Sequence, residues 1–139
     1  MYKMKLLSII FFFIFFCRLV YPQDAGPKKY RSLEPYDFHM EYLRNDPALL
    51  VDVSTQMEYS RQRIRDAINL PSSKDLFNYT DSLSRDCHLF LYCTTDFRSR
   101  HSAELLYEKG FRNLYNLEGG FKAWKKDGMP IDKKRLKNK

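Results

Sequence analysis

Two short and almost uninterrupted apolar segments constrain the fold of this chain most. They run from Ala48 to Val53 and from His88 to Tyr92, and each lies between polar or turn-forming residues. A strand that reads as a continuous apolar run is buried on both faces, which happens where helices cover both sides of a parallel sheet. The two runs therefore predict a parallel sheet with helices packed against it.

The rest of the chain alternates between helical and extended patterns. One helix is expected around Tyr36 to Leu43, ended by Asn45-Asp46-Pro47, and a longer one from Arg98 to Lys109, closed by Gly110 as a C-terminal cap. Weaker patterns predict strands at 67–70 and 113–116, and helical segments near 56–60, towards 83 and after 119–120. This alternation predicts an α/β domain with a mostly parallel sheet.

The N-terminus has the pattern of an export signal. Two lysines precede an apolar run from Leu6 to Cys17, and Arg18 interrupts its extension. As a helix the run would span only about 18 Å, which is short of the roughly 30 Å hydrocarbon core of a bilayer. We predict a signal peptide within residues 1–25 and hence a periplasmic or secreted protein. A retained membrane anchor and lipid attachment at Cys17 are the alternatives.

The positive charge of the chain is concentrated at its ends. The formal net charge is +7, but five of the 24 Lys and Arg residues lie in 133–139 and three lie in the predicted signal. The intervening domain, expected at 26–132, is therefore close to neutral, and it shows no basic face that would indicate nucleic-acid binding. Its length suits one domain, and we expect a monomer with a basic C-terminal tail.

Two cysteines, Cys87 and Cys93, remain after removal of the signal. They bracket the second apolar run, so a strand would hold them about 20 Å apart, whereas bridged Cα atoms lie within about 7 Å. A disulfide between them is excluded in that arrangement. At least one cysteine is then free for chemistry.

Cys93 directly follows a predicted strand, and ligands of parallel α/β sheets bind beyond the carboxyl ends of the strands. Thr94 to Phe97 must turn from strand to helix, which places backbone N–H groups near the thiol and favours negative charge there. Lowering a thiol pKa by two units takes about 2.7 kcal/mol, and a helix terminus supplies only ~0.3–1 kcal/mol. Further donors and a cation are needed.

Arg98 is the candidate cation, because a positive side chain in the first turn of a helix opposes the helix dipole and calls for another reason to be there. A solvated surface arginine is the alternative. Ser99 has two possible roles: its hydroxyl can donate to a bound anion or cap the helix. Both residues are candidate site residues beside Cys93.

Several segments of the sequence together resemble the rhodanese family. The matching segments follow one another in the family's order from about Tyr30 to Ile131 and include the active-loop region, the helix after it and a Gly-Gly turn. They are 50–53 (LVDV), 58–59 (EY), 67–71 (AINLP), 92–99 (YCTTDFRS), 103–111 (AELLYEKGF) and 117–124 (LEGGFKAW).

The resemblance implies a three-layer rhodanese-like domain with a central five-stranded, mostly parallel sheet. It also implies an exchange reaction in which Cys93 takes a sulfur atom from thiosulfate or a persulfide donor and passes it to a thiophile such as cyanide. Cys93 and Arg98 would be the catalytic residues and Ser99 would contact the persulfide. The remaining substrate-binding positions would be Thr94, Thr95, Asp96 and Phe97. No metal or organic cofactor is implied.

Five residues depart from what the resemblance implies. Asp96 and Asp66 stand where glycine is common, Ser54 replaces an arginine, and Gln62-Arg63-Ile64 replaces Gly-His-Ile. Aspartate tolerates left-handed backbone angles better than most residues, so the turn at Asp96 is expected to survive. A carboxylate aimed into the pocket would repel an anionic donor, whereas one aimed at water would not.

Two other functions fit parts of the pattern. A non-catalytic rhodanese-like binding module would explain the lost motifs, although the chain retains Cys93. A phosphatase of the related fold would have five residues between the cysteine and the arginine, but four separate Cys93 from Arg98 and six separate it from Arg100. We therefore predict a sulfurtransferase.

Overall fold

The computed structural model describes residues 28–133. The predicted signal at 1–25 and all but the first residue of the predicted tail at 133–139 lie outside the described residues, so these boundaries remain predictions. No helix within residues 28–133 is long and apolar enough to cross a membrane.

Five strands and five helices alternate within residues 28–133. The strands are β1 (Arg31–Leu33), β2 (Ala48–Asp52), β3 (Ile68–Asn69), β4 (His88–Tyr92) and β5 (Leu114–Leu117). The helices are α1 (Pro35–Arg44), α2 (Gln56–Arg61), α3 (Ser73–Thr80), α4 (Phe97–Glu108) and α5 (Gly120–Lys126). The predicted alternation is confirmed, with element ends displaced by a few residues at most.

The strands form one sheet in the order β1-β5-β4-β2-β3, and each neighbouring pair is parallel. The two apolar runs recognised in the sequence are central neighbours, with Leu50 opposite Phe90 and Val51 opposite Leu91. These four side chains are at most 2% exposed. Burial of both faces explains why β2 and β4 lack polar alternation.

Helices cover both faces of the sheet, as the three-layer expectation requires. On one face Leu89 and Leu91 pack with Leu106 of α4, and on the other Phe90 packs with Phe38 of α1 and Trp124 of α5. The rings of Phe38 and Phe90 meet edge to face at 5.3 Å. The carboxyl ends of the five parallel strands consequently share one edge of the domain, where α2, α4 and α5 begin.

Strand β1 is the one strand that the residue patterns did not predict. Its three residues, Arg31 to Leu33, are exposed or half-buried and contain no apolar run. The strand exists because it pairs with β5, with Ser32 opposite Asn116. Only the resemblance, through its five-stranded sheet, anticipated a further strand.

Candidate active site

Cys93 lies immediately after β4, at the carboxyl edge of the sheet and near its centre. The residue is 1% exposed and packs in the apolar cluster on the α4 face of the sheet. Both cysteines within residues 28–133 are free, which confirms that no disulfide joins Cys87 to Cys93. The thiol of Cys93 is thus held beneath the loop that follows it.

The active loop, Cys93 to Arg98, carries unused hydrogen-bond donors. No acceptor among residues 28–133 pairs with the six consecutive backbone N–H groups from Thr94 to Ser99. They lie where β4 turns into the N-terminus of α4, a position that favours an anion. The backbone donors anticipated from the sequence are therefore present next to Cys93 in the chain and are not used within residues 28–133.

Asp96 has the left-handed conformation expected because glycine is common at this position in the family that the sequence resembles. Its φ is 75°, and Asp66 at 65° is the other non-glycine residue with positive φ within residues 28–133. The Asp96 carboxylate accepts a hydrogen bond from the Gly119 N–H at 3.0 Å and lies 3.5 Å from the Arg100 guanidinium. It is therefore used within the protein and faces neither the open pocket nor bulk water, the two alternatives considered from the sequence.

The turn between β5 and α5 supports the active loop from below. Phe121 N–H donates to the Cys93 carbonyl at 2.8 Å, and Lys122 N–H donates to the Thr94 carbonyl at 3.1 Å. Gly120 approaches so closely that a Cβ there would lie 2.5 Å from the Cys93 carbonyl oxygen and 2.6 Å from the Asp96 nitrogen. Glycine is required at this position because the loop backbone occupies the space of a side chain.

Arg98 forms a two-pronged ion pair with Glu58 of α2. Its Nη1 and Nη2 donate to Glu58 Oε2 and Oε1 at 2.9 and 2.8 Å, and Thr94 Oγ1 donates to Oε1 at 2.6 Å. Hydrogen bonding from Arg98 holds the pKa of Glu58 well below its usual range, and the same contact raises the pKa of Arg98. Arg98 thus lies beside the active loop with much of its charge already compensated.

Glu58 is a site residue that was not predicted from the sequence, although its spacing from Thr55 is a recognisable pattern. Thr55 and Glu58 form a capping box at the start of α2, in which each side chain accepts from the backbone N–H of the other. The spacing of a threonine three residues before a glutamate is a recognisable helix start. What the spacing could not show is that the same carboxylate also reaches Arg98, forty positions later in the chain.

Ser99 contacts the thiol and a buried polar chain at the same time. Its Oγ is 3.8 Å from Cys93 Sγ, 3.0 Å from the Asp96 carbonyl oxygen and 2.7 Å from Asn116 Oδ1. Asn116 Nδ2 in turn donates to Ser32 Oγ at 3.0 Å. Because a hydroxyl has one proton, Ser99 can donate to Asn116 or, after rotation, to a negatively charged sulfur on Cys93. Asn116 was not anticipated from the sequence.

The other two predicted loop residues face outwards. Phe97 is 73% exposed and Thr95 is also exposed, so their side chains do not contribute to a closed pocket. What these residues offer towards Cys93 is backbone. Within residues 28–133, no group of three or more His, Cys, Asp or Glu side chains could hold a metal ion.

A cleft of about 500 Å³ opens beside the active loop. It reaches the loop at Thr94 and is bounded on the other side by the beginning of α5, so a molecule in the cleft would lie next to the Arg98 and Glu58 pair. The lining residues are Asp52, Ser54, Glu58, Arg61, Gln62, Thr94, Phe121 and Lys125.

Asp52 forms the inner wall of this cleft as a buried carboxylate. It is 2% exposed and accepts hydrogen bonds from the backbone N–H and the hydroxyl of Ser54. Burial raises the pKa of Asp52, an effect that the Ser54 hydrogen bonds partly oppose. Tyr92 packs nearby, and burial and the Asp52 charge raise the pKa of its hydroxyl. This cluster joins the ends of β2 and β4.

Comparison with known proteins places this geometry in a family context. The model of the Rhodanese-like domain matches residues 38–127, more than half of the chain. Thiosulfate sulfurtransferase GlpE of Glaesserella parasuis serovar 5 is 29% identical over 92 residues, covering 66% of this chain and 84% of that protein. The GlpE protein of Coxiella burnetii is 31% identical over 85 residues, covering 61% of this chain and 78% of that protein.

Solved structures agree with the fold. The crystal structure of a rhodanese-related protein from Thermoplasma volcanium superimposes with a TM-score of 0.63 and 28% sequence identity. The match covers 74% of this chain and 98% of that protein. Sequence and structural comparison therefore confirm the resemblance that the motifs indicated.

Proposed function

This chain belongs to the rhodanese-like family, and we propose that it is a sulfurtransferase that carries a sulfur atom on Cys93. Sulfurtransferase names on two relatives support the reaction class. The observation that carries the proposal is the position of a free thiol, beside six backbone N–H groups that have no acceptor within residues 28–133. Such donors stabilise a negatively charged sulfur and an anionic donor at one place.

The reaction proceeds by two displacements. The Cys93 thiolate attacks the outer sulfur of thiosulfate, the S–S bond of the donor breaks with its electron pair leaving on sulfite, and a cysteine persulfide forms. A thiophile then attacks the outer sulfur of the persulfide, and the electron pair returns to the Cys93 thiolate. Neither step needs an oxidant or a metal. The Ser99 hydroxyl would donate to the persulfide, a role supported by the 3.8 Å distance between Ser99 Oγ and Cys93 Sγ.

Mass spectrometry of the protein incubated with thiosulfate tests the proposal. We expect a gain of one sulfur atom on the peptide that contains Cys93, lost again on addition of cyanide. Cys93→Ser should abolish both the gain and the turnover, because an alcohol is a far weaker nucleophile than a thiolate. Cys87→Ser is the matched control. Because Cys87 lies at the opposite end of β4 from Cys93, this variant should retain most of the activity.

The result that would remove the proposal is equally direct. A folded parent protein that gains no sulfur from thiosulfate or from an organic persulfide would instead indicate a non-catalytic binding module. Activity that survives in Cys93→Ser and disappears in folded Cys87→Ser would show that Cys87, and not Cys93, carries the sulfur.

We further propose that the protein is exported and acts as a monomer in the periplasm or outside the cell. The charged start and short apolar run of the first 25 residues support export. Expression of the full chain in a bacterium, followed by intact-mass measurement of the periplasmic fraction, should recover a chain shortened by about 25 residues. Full-length protein confined to the membrane fraction would support a retained anchor.

A further inference from the structure

The cleft beside the active loop has an unequal distribution of charge. Its two carboxylates are both engaged: Asp52 accepts from Ser54, and Glu58 accepts from Arg98. Its two cations, Arg61 and Lys125, form no ion pair with any carboxylate within residues 28–133. With Arg98 counted beside Glu58, the cleft region holds three cations and two carboxylates, so its net charge is positive.

Both cations are held by neutral neighbours that orient them without cancelling their charge. Lys125 Nζ lies 3.3 Å from Gln62 Oε1 and 5.3 Å from the centre of the Phe121 ring. Arg61 Nη2 lies 3.7 Å from the sulfur of Met57. Arg61 is the last residue of α2 and Lys125 lies in α5, so the two cations come from different helices.

The cleft is also larger than thiosulfate requires. Its volume of about 500 Å³ suits a small organic molecule, whereas the unused N–H groups of the active loop suffice for an inorganic anion. Arg98, the cation next to the thiol, is paired with Glu58 and contributes less net charge to ligand binding. Arg61 and Lys125 are the positive groups that remain to distinguish one organic molecule from another.

We propose that Arg61 and Lys125 select the sulfur acceptor, favouring a small organic thiol that carries a carboxylate over an uncharged thiol. This inference rests on the proposed sulfurtransferase function and identifies the acceptor class of the same site. The carboxylate binds between the two cations, and the thiolate attacks the outer sulfur of the Cys93 persulfide. The bond from Cys93 to that sulfur breaks, the acceptor leaves as a persulfide, and the electron pair stays on Cys93.

The test compares two acceptors that differ in one group. 3-Mercaptopropionate has a carboxylate where 2-mercaptoethanol has a hydroxyl, and thiosulfate is the donor for both. The ratio of kcat/KM for the two acceptors is measured in the parent protein and in Arg61→Gln, Lys125→Gln and the double variant. The intrinsic reactivity of each acceptor thiol is the same whichever variant it meets. A change in the ratio from parent to variant therefore reports how the protein recognises the acceptor.

We expect the ratio to fall by about fivefold in the double variant, and by less at high salt, because exposed ion pairs are weak and screened. Lys126→Gln is the control: it removes the same charge from the next residue of α5, which does not line the cleft, and should leave the ratio unchanged. Mass measurement of the Cys93 persulfide accompanies each assay.

The outcomes separate the two proposals. A normal persulfide on Cys93 with an unchanged acceptor ratio in the double variant would overturn the role of Arg61 and Lys125 and leave the sulfurtransferase proposal intact. The same fall in Lys126→Gln would show a general effect of surface charge and would also overturn it. Failure of every protein to form a persulfide would remove the function and, with it, this inference.

Discussion

Asp96 shows how the direction of one side chain decides its effect on a neighbouring anion site. A carboxylate in the active loop would oppose a negatively charged donor if it entered the pocket. Here its oxygens lie at the Gly119 N–H and beside Arg100, and the side chain is only 17% exposed. Asp96 therefore connects the active loop to the turn before α5 by a hydrogen bond. Its left-handed φ also forms the turn of the active loop itself.

Asp96→Asn should leave kcat/KM for thiosulfate within about twofold of the parent value at low and high salt. Asparagine tolerates φ near 75° and keeps an oxygen that can accept from Gly119. Asp96→Ala loses both properties, and we expect its free energy of unfolding to fall by about 1–3 kcal/mol in urea titrations. A clear rise in kcat/KM for Asp96→Asn, largest at low salt, would mean that the carboxylate faces the bound anion after all.

Glu58 and Arg98 illustrate a second point at the level of residues. The resemblance leads one to expect Arg98 to hold the anion, and the structure shows the guanidinium with both outer nitrogens on Glu58. The fork of an arginine matches a carboxylate in a way that a lysine does not, so the pair fixes the position of Arg98 at the end of the active loop. Its role in binding the donor remains a prediction.

At the level of elements, the turn from β5 into α5 is the platform of the active site. Gly120 has a φ of +63°, and a Cβ would also lie 2.7 Å from the Thr95 nitrogen. All three near atoms belong to the active-loop backbone, so no side-chain rotation can relieve the clash. The position of the donors around Cys93 thus depends on a glycine in a different element.

Gly120→Ala should lower the rate of persulfide formation from thiosulfate by more than about tenfold, because the active loop must move to admit the methyl group. Gly128→Ala is the matched control, since Gly128 has a similar φ of +69° but an added Cβ would meet nothing within 4 Å. The free energy of unfolding should fall by about 1–2 kcal/mol in both variants, because alanine is strained at positive φ. Equal rates in the two variants would show that the contact with the active loop does not position it for catalysis.

At the scale of the whole molecule, the buried Asp52 makes stability depend on pH. Burial raises its pKa in the folded state above the unfolded value near 3.9. Between those two values the folded protein binds more protons than the unfolded chain, so the contribution of Asp52 to stability is fully present below about pH 4 and is lost as pH rises through the folded pKa.

Asp52→Asn removes that dependence. The unfolding free energy of the variant minus that of the parent should become more positive from pH 4 to pH 8, whatever its absolute sign, when both are measured by urea titration. Taking the difference cancels the opposite contribution of Glu58, whose lowered pKa makes stability fall in acid. A difference that is flat over this range would show that Asp52 titrates alike in the folded and unfolded states.

The sequence by itself determined the layers of this molecule and the position of its thiol. The apolar runs at β2 and β4 and the glycine after α4 are local signals, because strand burial and the left-handed turn after a helix each favour particular residue types at the position itself. Cys93 at the end of β4 followed from the same reasoning. The left-handed turn at Asp96 was expected only through the resemblance.

Only the tertiary structure decided which side chains complete the site. Glu58 meets Arg98 across forty positions, Asn116 meets Ser99 across seventeen, and Asp96 meets Gly119 across twenty-three. Strand β1 likewise owes its existence to β5, far away in the chain. Each of these residues has an ordinary local role as a helix cap, a strand residue or a turn, and a hydrogen bond between distant residues adds nothing to the local pattern from which a sequence is interpreted.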